Sequence, residues 1–340
     1  MKRKGICCGG NWIVDEVKLI EAWPEQDSLV SILHEETGTG GAAYNVLMDL
    51  RRMDSRIPLE AVGVLGTDPN GDKIAADIRK NRIKPVGIVR TDKRPTSRTD
   101  VMTVASTARR TFFHNRGTNA LLDTKHFDFS AIRAEYLHIG YALLLDRLDG
   151  PDKRFGTRMA RLLASAKKSG LKTSLDVVTD HDAARFRAIV LPSLRFTDVL
   201  VLNEIEASRV TGIDLKDTLD PEDYSSAARE LFRAGVSRLT VIHRPECSFA
   251  FTPDGSTYVQ PSHSLPDGFV KGTVGAGDAF CSAILYSLYA GLDIASGLKL
   301  ASSTAALSLS SPSSTEGVPA LANILSFSRR TPYRNISPIR

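Results

Sequence analysis

From residue 120 onward, short apolar runs recur at 136–140, 173–177, 198–202 and 238–243. Between them lie stretches with helical spacing of apolar positions, at 154–169, 183–190 and 222–234, and 292–310 continues with helix. Strand–helix alternation at this spacing predicts a parallel sheet covered on both faces. The first third adds a strand over 5–14, an apolar helical segment from Val46 to Met53, a strand over 61–65 and a helix over 71–82. Two segments break this rhythm. Residues 16–36 and 95–115 alternate polar with β-branched and aromatic residues, the period of half-buried strands, and each predicts a strand pair. The pattern therefore divides the chain into an α/β body (1–15, 37–94 and 116–325) and a small sheet (16–36 and 95–115) laid over it. The tail, 326–340, with Arg329, Arg330, Pro332, Pro338 and Arg340, is expected to be flexible.

Composition narrows the class. The chain has 340 residues, 42% of them hydrophobic and 24% charged, enough for a large core and too apolar for disorder. A net charge of +5 with no basic run beyond Lys2-Arg3-Lys4 gives no case for a nucleic-acid partner and suits small anions. Cys7, Cys8, Cys247 and Cys281 have no zinc-type spacing and read as buried small hydrophobes in a reducing compartment. The apolar run at Ile6-Cys7-Cys8 is too short for a signal peptide and no run approaches a membrane span, so a cytoplasmic location is expected.

The candidate chemistry centres on Gly272-Thr273-Val274-Gly275-Ala276-Gly277-Asp278, followed by an apolar helical run. A glycine-rich turn opening a helix leaves backbone N–H groups unpaired, and with the positive end of the helix dipole they suit an anion. Asp278 in the first turn is placed to take a proton from an attacking hydroxyl. Read alone, the stretch is equally a helix start with small packing residues. Two other glycine stretches are set aside. Gly38 to Ala43 matches a dinucleotide fingerprint, but Glu60 precedes its apolar run instead of following a strand, and His34-Glu35-Glu36 is no buried parallel strand. Gly66 to Lys73 misses a P-loop because Asp72 stands where lysine is needed.

Six motifs in order then resemble the ribokinase (PfkB-type) family of carbohydrate and nucleoside kinases, over roughly residues 5–320. They are Gly10-Asn11 with Asp15, Gly40-Gly41-Ala42-Ala43-Tyr44-Asn45, Val62 to Asp68 with Gly71, Arg116-Gly117-Thr118-Asn119-Ala120, Asn203-Glu204-Ile205-Glu206 ahead of Thr211-Gly212, and Gly275-Ala276-Gly277-Asp278. The resemblance implies a ribokinase-like three-layer α/β/α body with a mostly parallel sheet and a β lid. It implies transfer of a phosphoryl group from ATP to a primary hydroxyl of a sugar or sugar-like molecule, with an adenosine-type nucleoside as the alternative acceptor. A regulator that binds sugar or nucleotide without turnover is the alternative of another class.

Roles follow from the same resemblance. Asp278 would be the base, and the N–H groups of Gly275, Ala276 and Gly277 the anion hole. Asn11, Asp15, Gly41 and Asn45 would hold the substrate; Tyr141, which the resemblance does not assign, suits stacking on a substrate ring and equally an ordinary core position. Asn203, Thr273, Arg244 and Ser302 would face the nucleotide, with Asn203 and Glu206 organising Mg2+ through water. Alone, Asn203 and Glu206 read as a capping pair and Asn45 as a helix cap. His138 reads as a core or pocket-wall histidine. Arg94, Arg98, Arg109, Arg110 and Arg116 read as a solvated lid surface from which one reaches a substrate anion. Lid strands give a homodimer a plausible seam.

Three features depart from the family pattern. Gly272 stands where an aspartate usually precedes Thr273, which makes a monovalent cation doubtful. The stretch His243-Arg244-Pro245-Glu246-Cys247-Ser248 carries none of the glycines of the usual nucleotide loop, and Arg244 is expected to supply charge instead. Tyr141-Ala142-Leu143-Leu144 lacks the glutamate expected of a ribose kinase.

Overall fold

The computed structural model describes residues 3–107, 109–179 and 182–336. In chain order the elements are β1 (Ile6–Gly10), β2 (Ile13–Ile20), β3 (Ile32–Gly40), α1 (Ala42–Met53), β4 (Leu59–Gly66), α2 (Pro69–Lys80) and β5 (Lys84–Thr91). Next come β6 (Arg98–Val104), β7 (Arg110–Asn115), β8 (Tyr136–Ala142), α3 (Asp146–Asp149), β9 (Pro151–Asp152), β10 (Gly156–Thr157), α4 (Arg158–Lys168) and β11 (Lys172–Val177). The remainder are α5 (Ala183–Leu194), β12 (Val199–Asn203), α6 (Glu204–Thr211), α7 (Pro221–Arg233), β13 (Leu239–His243), β14 (Cys247–Phe251), β15 (Thr257–Pro261), α8 (Ala276–Ala290), α9 (Ile294–Ser308) and α10 (Leu321–Arg330).

Nine strands form the central sheet in the order β15-β14-β13-β12-β11-β8-β1-β4-β5. It is parallel except where β14 turns back on β13 and β15 on β14. Side chains from successive residues enter opposite layers: Cys7 packs with α3 to α7, while Ile6 and Cys8 pack with α1, α2 and α8 to α10. A strand covered on both faces reads as a continuous apolar run, which is why the alternation of short runs and helices was legible. This is the ribokinase-like three-layer α/β architecture. Among the described residues no helix is long and apolar enough to cross a membrane, and all four cysteines are free and buried.

A second sheet, in the order β3-β2-β6-β7, is built from the two segments that broke the rhythm. The expected strand over 5–14 is two strands in different sheets. Gly10 has φ 136°, and a Cβ there would lie 1.6 Å from the carbonyl oxygen of Gly140. The chain turns at this close approach, and Trp12 is pinned by Asn119, which accepts from its N–H at 3.1 Å and donates to its carbonyl at 3.2 Å.

Several elements went unanticipated. β5, at the sheet edge, begins Lys84-Pro85 and ends Arg90-Thr91 around a short apolar middle. Cys247 and Ser248, expected in a loop, begin β14, because Arg244 to Glu246 turn the chain back with the Arg244 N–H on the Cys247 carbonyl at 2.9 Å. Helix 154–169 starts only at Arg158, since β9 and β10 form a tight hairpin before it. The tail expectation is corrected: residues 326–330 are helical, Ile324 and Ser328 are buried, and Tyr333 bridges to His263. Residues 337–340 lie outside the described residues.

Trp12 also closes the seam between the sheets. Its indole Nε1 donates to the Val62 carbonyl at 3.0 Å, and a Cβ on Gly63 would sit 2.1 Å from that nitrogen. Gly63→Ala is therefore expected to displace a fully buried tryptophan and to destabilise the protein by about 1–3 kcal/mol. Denaturant unfolding checks this: the midpoint falls while the slope stays at the wild-type value.

Candidate active site

Two helices point their N-termini at one place, and both begin on glycine. Gly275 caps α8 at φ 80°, where a Cβ would lie 2.1 Å from the Ser314 carbonyl, and no side chain caps the helix. Gly41 caps α1 at φ 91°, again with no side-chain cap. By contrast, α2, α4, α6, α7 and α9 have their first N–H groups taken by Asp68, Thr157, Asn203, Asp220 and Asp293. The first turn of α8 thus keeps free N–H groups at Ala276 and Gly277, a favourable seat for an anion. Gly277 is exposed, whereas Asp278, one residue on, is only 2% exposed.

Asp278 is held by two donors. Asn45, one turn into α1, donates from Nδ2 to Oδ2 at 2.7 Å and accepts from Ser314 Oγ at 3.0 Å. The Tyr141 phenol, at the end of β8, donates to Oδ1 at 2.8 Å and Oδ2 at 2.7 Å. Burial raises the carboxyl pKa of Asp278, and the hydrogen bonds from Asn45 and Tyr141 act against that rise. Asn11 accepts the Tyr141 N–H on Oδ1, while its buried Nδ2 has no partner in the protein. Asp15, on β2, presses on Gly40, where a Cβ would lie 2.2 Å from Oδ2. Burial lifts its pKa to about 6, assisted by the charges of Asp278 and Glu16 and opposed by Thr99. Asn11, Asp15, Gly41, Asn45 and Tyr141 therefore gather around Asp278.

Further acids stand nearby that sequence reading passed over. Asp176, at the end of β11, has its pKa driven well up by burial and by the charges of Glu206 and Asp278. Asp49, one turn beyond Asn45, is fully buried with neither carboxyl oxygen hydrogen-bonded, and burial and Asp278 hold it well above the usual carboxylate range. His243, the last residue of β13, lies under the anion seat: a Cβ on Gly277 would be 3.7 Å from its Cε1. Its ring packs on Phe280 at 5.0 Å, and burial depresses its pKa to about 4, so it is neutral near pH 7.

Asn203 and Glu206 cap α6 reciprocally: Asn203 Oδ1 accepts from the Glu206 N–H at 2.8 Å, and Glu206 Oε2 accepts from the Asn203 N–H at 3.0 Å. Thr179 donates to Glu206 Oε1 at 3.1 Å. Burial first, against these hydrogen bonds, brings Glu206 to about 7. Among the described residues no group of three or more metal-ligating side chains converges on one point. The oxygen donors of Asn203 and Glu206, with Asp176 and Asp278 close enough to repel, fit a hard cation that keeps most of its water and relieves that repulsion.

The remaining nucleotide-side residues separate. Thr273 is exposed in front of α8. Ser302, on α9, is 6% exposed and donates to the Pro261 carbonyl at 3.3 Å, so its hydroxyl is spent on packing α9 against β15. Arg244 does not supply free charge: it donates to Glu246 at 2.6 Å, to the Thr218 carbonyl at 2.6 Å and to Tyr224 at 2.9 Å. With the Leu215 and Lys216 carbonyls also within reach, it clamps the loop before α7. Nothing in the sequence near Arg244 announces these distant acceptors.

Known proteins resemble this chain in sequence and in fold. The pfkB family carbohydrate kinase model matches residues 6–321. The 5-dehydro-2-deoxygluconokinase of Bacillus velezensis is 26% identical over 160 residues, 47% of this chain and 47% of that enzyme, so the match spans about half that relative's length. Probable fructokinase-7 of Arabidopsis thaliana is 24% identical over 297 residues, 85% of this chain and 80% of that protein. The structure of Arabidopsis thaliana ribokinase complexed with ribose and ATP shares the fold, with a TM-score of 0.78 and 21% identity over 97% of this chain and 99% of that one. The chain belongs to the pfkB family of carbohydrate kinases.

Proposed function

We propose that this protein transfers the terminal phosphoryl group of ATP to a primary hydroxyl of a sugar or sugar-like molecule. The observation that carries the reading is Asp278: a buried carboxylate directly beneath the uncapped N-terminus of α8, so that a base and an anion seat share one helical turn. Phosphoryl transfer asks mainly for positioning and charge neutralisation, which this turn supplies. The kinase names of the relatives support a sugar acceptor.

In this reading the acceptor's hydroxyls lie against Asp15, Asn45, the free Asn11 Nδ2 and the Gly41 backbone. Asp278 takes the proton as the hydroxyl oxygen bonds to the terminal phosphorus and the bond to the leaving ADP oxygen breaks. The N–H groups of Gly275, Ala276 and Gly277 receive the phosphoryl charge. Mg2+, bound through water by Asn203 and Glu206, would neutralise charge on the nucleotide phosphates. The second sheet acts as a lid that excludes water from the transfer.

Replacing Asp278 by Asn removes the base and leaves the backbone seat intact. The expected outcome is a fall in kcat of about 10²–10⁴-fold with ATP affinity unchanged, read by coupled ADP release over a panel of sugars and sugar acids beside a nucleotide titration. Wild-type protein that binds nucleotide yet turns over nothing on the panel sinks the reading. Tyr141→Phe tests the tuning of the base. The phenol favours the charged carboxylate, so its loss raises the pKa of Asp278 further. A base works only when deprotonated, so the acid limb of the kcat–pH profile moves to higher pH. A limb that stays in place or moves to lower pH shows that the phenol does not tune the base.

A further inference from the structure

One row of residues crosses all four strands of the second sheet. Gly38 pairs with Asp15, Asp15 with Thr99, and Thr99 with His114. Directly paired residues show their side chains on one face. Asp15, whose carboxyl feels the charge of Asp278, places the row on the face turned to the site. The row is also a hydrogen-bonded chain. Thr99 hydrogen-bonds the Asp15 carboxyl, and its Oγ1 lies 3.0 Å from His114 Nδ1. The far ring nitrogen, His114 Nε2, is buried and has no hydrogen-bond partner. A polar atom withdrawn from water without a partner is costly, and a ligand that supplies the partner removes the cost.

The chain fixes what that partner must be. A threonine hydroxyl has one hydrogen to give. Above its pKa of about 6 Asp15 is ionised, and the Thr99 hydrogen goes to the carboxylate. The Thr99 oxygen then accepts from His114, so the imidazole carries its proton on Nδ1. Burial and the charge of Arg116, opposed by Asp146, hold the ring's pKa below its ordinary value, and the ring is neutral near pH 7. A neutral imidazole protonated on Nδ1 presents a bare lone pair at Nε2. The buried nitrogen therefore needs a donor. A hydroxyl is a donor and a carboxylate is not. Arg116, the cation beside the ring, is already engaged by Asp146 at 2.8 Å and by the Leu143 carbonyl at 2.7 Å.

We propose that His114 accepts a hydrogen bond from a hydroxyl of the acceptor at Nε2, and that the site thereby selects uncharged polyhydroxy sugars over sugar acids. The inference rests on the kinase reading and names its substrate class. Asp15 and His114 stand two strand spacings apart, roughly 10 Å, on one face. An acceptor of hexose length lying along the row meets both. A sugar acid brings its carboxylate to a row that offers acceptors at each end, the ionised Asp15 and the Nε2 lone pair, so it is repelled and left unpaired. An acceptor lacking the hydroxyl leaves Nε2 buried without a partner, the situation in which a site discriminates most strongly.

The test has two arms, both on the full chain at slightly alkaline pH. The first is coupled ADP release with Mg-ATP over aldoses and the aldonates made from them, glucose beside gluconate and ribose beside ribonate, with adenosine as a nucleoside control. The uncharged sugar is expected to have the higher kcat/KM by about tenfold or more. His114→Phe should cost that sugar about tenfold or more in kcat/KM with the KM for ATP unchanged, and His114→Gln, whose amide oxygen can accept near the Nε2 position, should recover part of the loss. A preference for the aldonate, turnover confined to adenosine, or a His114→Phe protein that melts like wild type and keeps its kcat/KM overturns the inference and leaves the kinase reading standing. Wild-type protein that binds nucleotide yet turns over no acceptor brings down the kinase reading, and the substrate class falls with it. The second arm needs no turnover. Proton–nitrogen correlation spectra of the histidine rings, with the His114 signals assigned by their loss in either variant, show which nitrogen carries the proton. A proton on Nδ1 is expected, and a proton on Nε2 overturns the inference. If the phenylalanine variant does not fold, the wild-type spectrum assigned with His114→Gln decides.

Discussion

A carboxylate kept out of water is the constraint on which the other features of this site depend. Asp278 has almost no solvent, so its charge has to be stabilised by neighbours. The dipole of α8 does part of this, and it requires Gly275 at a positive φ pressed against Ser314. Asn45 and Tyr141 do the rest. Each must come from a different element, α1 and the end of β8, and these meet at Asp278 only because β1 lies between β4 and β8 with α1 and α8 packed over the sheet. The three-layer body can thus be understood as the device that brings two remote segments within 2.8 Å of one carboxyl group.

The second sheet depends on the same place. The chain crosses from β1 into β2 through Asn11 and Trp12 alone, and those residues are fixed by Gly140, Asn119 and Val62. Asn11 also holds the Tyr141 N–H, so the crossing and the base share one support. Any movement of β2 relative to β1 is transmitted to Asp15 from one side and to Tyr141 from the other. In the proposed reaction this crossing forms part of the acceptor's binding surface, so movement of the second sheet and seating of the acceptor are coupled.

The positions readable in the sequence are those where the backbone itself is constrained. Gly10, Gly41 and Gly275 combine a positive φ with a backbone contact that excludes any Cβ, so only glycine serves, and the motif survives as letters. The long βα rhythm was legible because buried parallel strands are apolar on both faces. What stayed hidden depends on partners distant in sequence. Asp176 and Asp49 are single acids inside apolar segments. Their meaning lies in which elements face them, which no local pattern carries. Arg244 looked like free charge because, apart from nearby Glu246, its acceptors lie in α7 and the loop before it. β5 has a proline and polar ends around a short apolar middle, and Glu206 looked like a plain capping residue because capping is in fact what its backbone contacts do.

The assembled acids also bear on stability. Asp15 at about 6 and Glu206 at about 7 both lie above the ordinary carboxylate range, chiefly through burial. Between the unfolded values and these, the native state holds more protons than the unfolded chain. The contribution of these groups to stability is full in acid and fades as pH rises through about 6 to 7. Toward neutral pH these acids ionise in a buried setting, and their charges weaken the fold. Asp49, fully buried, has no hydrogen-bond partner for either carboxyl oxygen. In the proposed reaction a hydrated cation and the hydroxyl donors of a sugar would relieve that repulsion, so its cost to the fold becomes binding energy for them.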